Sequence, residues 1–130
     1  MPIIIDGWNL IRDERSPVDL DDAIASAQAL VRILVSYQRA HRDPITVVFD
    51  SKRGHLELAH TNNEQLTAIP AKDADGYIMK FVANIPEKQR RNVRVVSSDN
   101  KVYYHAKSHY ATPITSDEFW QTLTKKRGPR

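Results

Sequence analysis

The chain has no cysteine and only four glycines among its 130 residues. Without thiols it can carry no disulfide, iron–sulfur cluster, thiolate nucleophile or Cys-based zinc site, and this composition suits a reducing compartment. No stretch approaches the ~20 apolar residues that span a bilayer, so no membrane is expected as a partner. The opening Met1-Pro2-Ile3-Ile4-Ile5-Asp6 lacks the basic and hydrophobic regions of a secretory leader, and a cytoplasmic location is expected. A G-x-x-x-x-G-K-S/T phosphate loop is also absent, which argues against a P-loop nucleotide triphosphatase. What remains is 41% hydrophobic and 27% charged, the composition of an ordinary globular protein. Its length suits one domain, placed at residues 1–124, with a basic C-terminal tail over 125–130.

The formal net charge of +3 conceals an asymmetry. Residues 1–75 hold 8 basic and 12 acidic side chains, whereas residues 76–130 hold 11 basic and 4 acidic ones. An anionic partner for the basic part is one reading of that split, and solvated helical faces are the other.

Hydrophobic patterning predicts alternating strands and helices. Ile3–Ile5 and Ile45–Phe49 are short apolar runs of the kind buried in parallel sheets, and each runs into an aspartate, Asp6 and Asp50. Between them Leu20, Ile24, Ala27, Val31, Leu34 and Val35 recur at helical spacing, with Asp19, Asp21 and Asp22 at the N-terminal end. That helix is expected to stop near Arg42, ahead of Pro44. A weaker third strand is expected at Leu66–Ile69, a helix over Ala74–Asn84 and a fourth strand at Val93–Val96, followed by Ser97-Ser98-Asp99-Asn100. Lys101–His109 reads as a helix and Ala111–Ile114 as a brief fifth strand. Thr115 and Glu118 form a capping box for a last helix through Phe119, Trp120 and Leu123.

This order implies a parallel sheet covered by helices on both faces, and ligands bind such sheets beyond the carboxyl ends of the strands. Asp6, Asp50 and Asp99 all fall at that edge, and Asp73 and Asp75 open the helix that leaves it. Aspartates also favour turns and helix N-caps, which is the plainer account of each one singly. Taken together, converging carboxylates repel unless one is protonated or a cation lies among them. A hard divalent ion suits such oxygen donors, and it would support hydrolysis of a phosphodiester.

The residues that make up this edge resemble the YacP-like branch of the NYN domains, within the PIN-like ribonucleases. Asp6-Gly7-Trp8-Asn9 is similar to the opening DGYN-type motif, and Val47-Val48-Phe49-Asp50 to the second strand. Ala74-Asp75-Gly76-Tyr77-Ile78 resembles the "A-D-D-x-I" helix start, Val95-Val96-Ser97-Ser98-Asp99-Asn100 the "V-T-S-D" strand, and Ile114–Phe119 the closing segment. The resemblance implies a three-layer α/β/α sandwich around a mainly parallel five-stranded sheet of order 3-2-1-4-5. It also implies metal-dependent endonucleolytic cleavage of RNA with Mg²⁺ or Mn²⁺. Carried over by position, Asp6, Asp75 and Asp99 hold the metal, Asn9 supports the site, and Asp50 is a further acid that binds metal or organises its surroundings. Gly76 departs from the pattern, which often has a second acid there, with Asp73 close by. Tyr110 stands where the helix commonly ends in a glycine suited to a left-handed cap.

Lys52, Arg53 and Lys72 lie near the same edge and are the phosphate-binding candidates, with Trp8 and Asn100 as further substrate contacts. Tyr103 and Tyr104 are suited to stacking on an unpaired base or to packing in the core. Lys88, Arg90, Arg91 and Arg94 belong to the far edge and read as a solvated face. His105 and His109, four apart, have the spacing of two zinc ligands but lack an evident third, and His55 and His60 fall in a loop. The leading reading is an endoribonuclease. The alternatives are a catalytically weakened RNA- or ribosome-binding module and a small nucleotide phosphohydrolase. Monomer and homodimer both remain open.

Overall fold

Ile3, Ile4 and Ile5 feed two different cores: Ile3 and Ile5 pack on one face of a sheet and Ile4 on the other, the two-residue alternation of a strand. They belong to β1 (Ile3–Asp6), the central strand of the computed structural model, which describes residues 2–18, 22–50 and 65–124. Beside it lie β2 (Ile45–Asp50) and β4 (Arg94–Val96), and outside these β3 (Leu66–Ala71) and β5 (Thr112–Ile114). The order is β3-β2-β1-β4-β5 and every pairing is parallel. Both edge strands carry a proline, Pro70 and Pro113, which is tolerated there because an edge leaves backbone donors unused.

Helices cover both faces. On the first are α1 (Gly7–Ile11), α2 (Ala23–His41) and α6 (Ser116–Thr124), which bring Leu10, Leu30, Leu34, Phe119 and Trp120 onto Ile3, Ile5 and Phe49. Trp120 is fully buried, and its indole N–H donates to the Leu10 carbonyl at 2.6 Å. On the second face α3 (Ala74–Asn84) and α5 (Asn100–Ser108) place Ile78, Val82, Val102 and Ala106 over Ile4, Val48 and Val95. A single turn, α4 (Glu87–Arg90), links α3 to β4. Among the described residues no helix is long and apolar enough to cross a membrane.

The α3 boundaries match the periodicity, and α6 has its capping box: Glu118 N–H donates to Thr115 Oγ1 at 3.2 Å and Thr115 N–H to Glu118 Oε1 at 3.0 Å. Two expectations shift. The α2 helix begins at Ala23 because Asp22 caps it, its Oδ1 accepting from Ile24 and Ala25 N–H. The third strand continues through Pro70 to Ala71, paired with Phe49 and Asp50.

Tyr110 adopts a left-handed φ of 67° at the end of α5. Ala111 N–H reaches Ala106 O at 2.9 Å and Tyr110 N–H reaches Lys107 O at 3.2 Å, the paired bonds of a Schellman cap. A side chain is disfavoured there by about 1–2 kcal/mol, partly offset by the extra freedom glycine has in the unfolded chain. Tyr110→Gly is therefore expected to stabilise the protein by roughly 0.5–1 kcal/mol, read as a rise in melting temperature; an unchanged or lower value would contradict the cap assignment. Gly7 has the opposite constraint. A Cβ there would lie 2.5 Å from Cε1 and 2.6 Å from Cδ1 of Phe49, a fully buried ring. Gly7→Ala should cost about 1–3 kcal/mol by forcing α1 off the sheet, measurable by urea unfolding.

Candidate active site

The carboxyl edge of the sheet is built from strand ends that run into helix starts. Asp6 is the last residue of β1 and the N-cap of α1, its Oδ1 accepting from Asn9 N–H at 3.3 Å. Asp73 caps α3 through Gly76 N–H at 3.0 Å, and Asp75 lies in the first turn of that helix. Asp99 caps α5 through Val102 N–H at 3.2 Å, three residues beyond β4. Asp50 closes β2. The preference of aspartate for helix N-caps thus explains why these residues are acids locally. It does not explain why one of them is buried.

That one is Asp6, only 7% exposed. Its carboxyl is pushed up from 3.8 to about 6, by burial above all and also by the charges of Asp75, Asp99 and Asp50, against the hydrogen bond from Asn9 N–H. Three strand-end or helix-start acids therefore act electrically on Asp6. Asp50, Asp75 and Asp99 are all half-buried, at the boundary between core and solvent.

Asn9 is the joint of this edge. Its Oδ1 accepts from Ser98 N–H at 2.8 Å and from the Ser116 hydroxyl at 2.5 Å. Ser116 N–H donates in turn to Ser98 Oγ at 2.9 Å, and Asp99 N–H to Ser97 Oγ at 3.1 Å. One amide thus ties α1, the loop after β4 and the start of α6 together around Asp99. The serines were not singled out from the sequence; the Ser97-Ser98 pair ahead of Asp99 and the small hydroxyl residue inside the α6 cap were the available signals.

Trp8 is engaged by the fold. Its indole N–H donates to the Asp50 carbonyl at 2.7 Å, its ring meets Phe49 edge-on at 5.1 Å, and the Arg12 guanidinium lies 5.9 Å above it. It thereby pins α1 to the end of β2. Lys72 follows β3 and is exposed on the acid edge, and Asn100 is the exposed first residue of α5. Lys52, Arg53, His55 and His60 lie outside the described residues.

At the far edge Lys88 and Arg91 are exposed as expected, while Arg90 and Arg94 are less solvated. Arg94 is half-buried and bonds Asp43 Oδ2 at 2.7 Å, and Arg90 closes the end of α3 through Ile85 O and Ala83 O. A cavity of about 480 Å³ there, lined by Pro2, Phe81, Ile85, Gln89, Asn92 and Val93, offers no titratable side chain and sits away from the acids. The His105 and His109 rings stack at 4.0 Å, and His109 Nδ1 is held by His105 O at 2.9 Å. Among the described residues no third ligand accompanies them.

The donor set at the acid edge is all oxygen, which suits a hard divalent ion and disfavours soft metals. Among the described residues no three His, Cys, Asp or Glu side chains are gathered tightly enough to enclose an ion by themselves. The charges of Asp75, Asp99 and Asp50 are nevertheless near enough to act on the Asp6 carboxyl. Mg²⁺ typically takes one or two carboxylates and keeps several waters, so it does not need three side chains to enclose it.

Comparison with known proteins agrees with the architecture. The family model described as the YacP-like NYN domain matches residues 3–129. The crystal structure of Rae1 (YacP) from Bacillus subtilis superposes with a TM-score of 0.75 at 19% identity, covering 95% of this chain and 73% of that one. A tryptophan mutant of the same Bacillus subtilis protein gives 0.71 at 20% identity, covering 95% and 74%. No curated protein matches the chain.

Proposed function

The chain belongs to the YacP-like NYN domain family, a group with the PIN-like nuclease fold, and from that premise we propose that it is an endoribonuclease dependent on Mg²⁺ or Mn²⁺. One observation carries the reading: a carboxyl buried at the end of the central strand, held near a pKa of about 6 by burial and by three other acids. A protein that used Asp6 only as a cap would gain by having asparagine there, since asparagine caps as well and bears no charge. Keeping the charge has a use if a cation neutralises it.

Asp6, Asp75 and Asp99 would hold the ion, with Asp50 adding negative charge from the next strand. When bound, such an ion supplies the Lewis acidity that phosphodiester hydrolysis needs, making a nucleophile of water at neutral pH and stabilising the departing oxygen. The chain's own residues do the rest. Asn9 fixes the loop that presents Asp99, through its bonds to Ser98 and Ser116. Lys72, exposed just beyond β3, would meet a backbone phosphate, a contact that positions RNA without reading its sequence. Lys52 and Arg53 belong to the same proposal by sequence position, RNA is the partner, and the cytoplasm the expected compartment.

Gly76 favours a second reading, a domain that binds RNA but cuts it weakly. The space a Cβ would fill at Gly76 lies 2.5 Å from Asp73 Oδ2, so the capping carboxylate and an acidic side chain at 76 compete for one place. The chain has the cap and lacks the second acid. Cleavage assays on single-stranded and structured RNA separate the readings. The nuclease reading predicts Mg²⁺- or Mn²⁺-dependent cleavage that chelator stops and Asp99→Asn removes. A protein that binds RNA equally well with and without the ion and leaves it intact is the weakened module.

A further inference from the structure

The helix that starts at Asp99 has an outer face the nuclease reading does not use. Val102 and Ala106 of α5 are buried in the core, which leaves Lys101, Tyr104 and Lys107, spaced three apart, along the solvent side. Tyr104 is 60% exposed, one of few large apolar side chains left in water among the described residues. No packing role accounts for that exposure. Its ring is nevertheless braced: Tyr103, half-buried, meets it edge-on at 5.4 Å and 78°. Asn100–Ser108 contains two lysines and no acid, on a chain whose neighbouring edge is strongly acidic. An exposed aromatic between two cations, next to a site for phosphate chemistry, has the composition of a stacking platform for unpaired bases.

We propose that Tyr104, braced by Tyr103 and flanked by Lys101 and Lys107, stacks on an unpaired base beside the scissile phosphate, so that single-stranded RNA leaves the acid edge along α5. The inference rests on the nuclease reading of that edge and adds where the substrate lies and why it is unpaired. Tyr104 is five residues past Asp99, which at the helical rise of ~1.5 Å per residue places it ~7–8 Å along the axis from the cap. A base on the neighbouring nucleotide can reach that far. Lys101 and Lys107 sit one turn to either side, so the phosphates flanking a stacked base meet a cation on each side. A duplex buries the faces of its bases and cannot use the tyrosine.

The test is binding measured apart from cleavage. A short fluorescein-labelled single-stranded oligoribonucleotide is titrated with the full chain in the presence of chelator, and anisotropy is read. Tyr104→Ala is expected to weaken binding roughly 5- to 100-fold, Tyr104→Trp to restore it, and the affinity for an RNA duplex of the same sequence to stay unchanged. Because Tyr104 is exposed, its variants should melt with the wild type. Equal single-strand affinity for wild type and Tyr104→Ala, equal losses on single strand and duplex, or no single-strand binding by the wild type would each overturn the proposal. The two readings fail separately. Cleavage abolished by Asp99→Asn with no effect of Tyr104→Ala sinks the stacking position alone; Tyr104-dependent binding without cleavage in Mg²⁺ sinks the nuclease alone.

Discussion

Asp6→Asn is expected to remove RNA cleavage and, in the same protein, to raise the melting temperature of the metal-free form at neutral pH. The first effect follows from losing the buried charge around which an ion would sit. Stabilisation of several kcal/mol in the transition state corresponds to roughly a 10³-fold loss in kcat/KM. The second follows from the pKa. The Asp6 carboxyl titrates near 6 in the folded chain against 3.8 ordinarily. Below about pH 3.8 both folded and unfolded states hold the proton, and the buried group carries no charge penalty. As pH rises through 6 the folded state must ionise a group that prefers to stay neutral, and that stability is lost. By pH 7 the loss approaches about 3 kcal/mol, at 1.36 kcal/mol per unit.

Asparagine is close in shape, keeps an oxygen for Asn9 N–H and has no charge, so it recovers most of that loss. The expected melting-temperature gain at pH 7 is on the order of 5–10 °C, shrinking to nothing near pH 4. Millimolar Mg²⁺ should raise the melting temperature of the wild type and leave Asp6→Asn unmoved, because an ion that binds only the folded state stabilises it. A variant less stable than the wild type at pH 7, or a gain that persists undiminished at pH 4, would contradict this account of Asp6.

Asn9→Ala should damage both fold and site. It strips the acceptor from the Ser98 N–H and from the hydroxyl of Ser116, a residue with 0% exposure. Ser98 is exposed, so water replaces its acceptor, and the orphaned hydroxyl of buried Ser116 sets the expected loss at about 1–3 kcal/mol. The loop carrying Asp99 then has one anchor fewer. Cleavage per folded molecule should fall by roughly 10- to 100-fold, as when the partner that orients a metal ligand is removed. Urea unfolding followed by tryptophan fluorescence measures the first effect, and cleavage at a temperature where the variant is fully folded measures the second. A stability within about 0.5 kcal/mol of the wild type would show that the Asn9 joint carries little.

Much of this architecture can be read from local pattern. The unbroken runs at Ile3–Ile5 and Ile45–Phe49 specify buried strands, and Ile78, Phe81, Val82 and Ile85 specify α3. Thr115 and Glu118 specify the start of α6. The strand order came instead with the family resemblance. The missed features depend on contacts far apart in sequence. α1 is five residues long and starts with glycine; it has no periodicity to detect, and it exists because Gly7 packs on Phe49 and Trp8 reaches Asp50. α4 is a single turn without a side-chain cap. Arg94 looked like a solvated base because Asp43, its partner, is 51 residues away. At the edge of the sheet the positions of the aspartates were legible because they follow strands or open helices. The Asn9–Ser116 bond spans 107 residues, and no local pattern announces it.

The asymmetry of charge also changes meaning. Among the described residues the bases after residue 75 are divided: Arg90 and Arg94 are used by the fold at the far edge, and Lys101 and Lys107 lie on α5. The positions of the acids matter more than the net charge.

The central claim is that Asp6, Asp75 and Asp99 converge on one divalent ion. A crystal soaked in Mn²⁺ and measured at the manganese absorption edge tests it directly. The account predicts an anomalous peak among these three carboxylates, lost in Asp6→Asn crystals soaked in the same way. A cluster that stays without a peak at millimolar Mn²⁺, or a peak that survives the loss of Asp6, would contradict it.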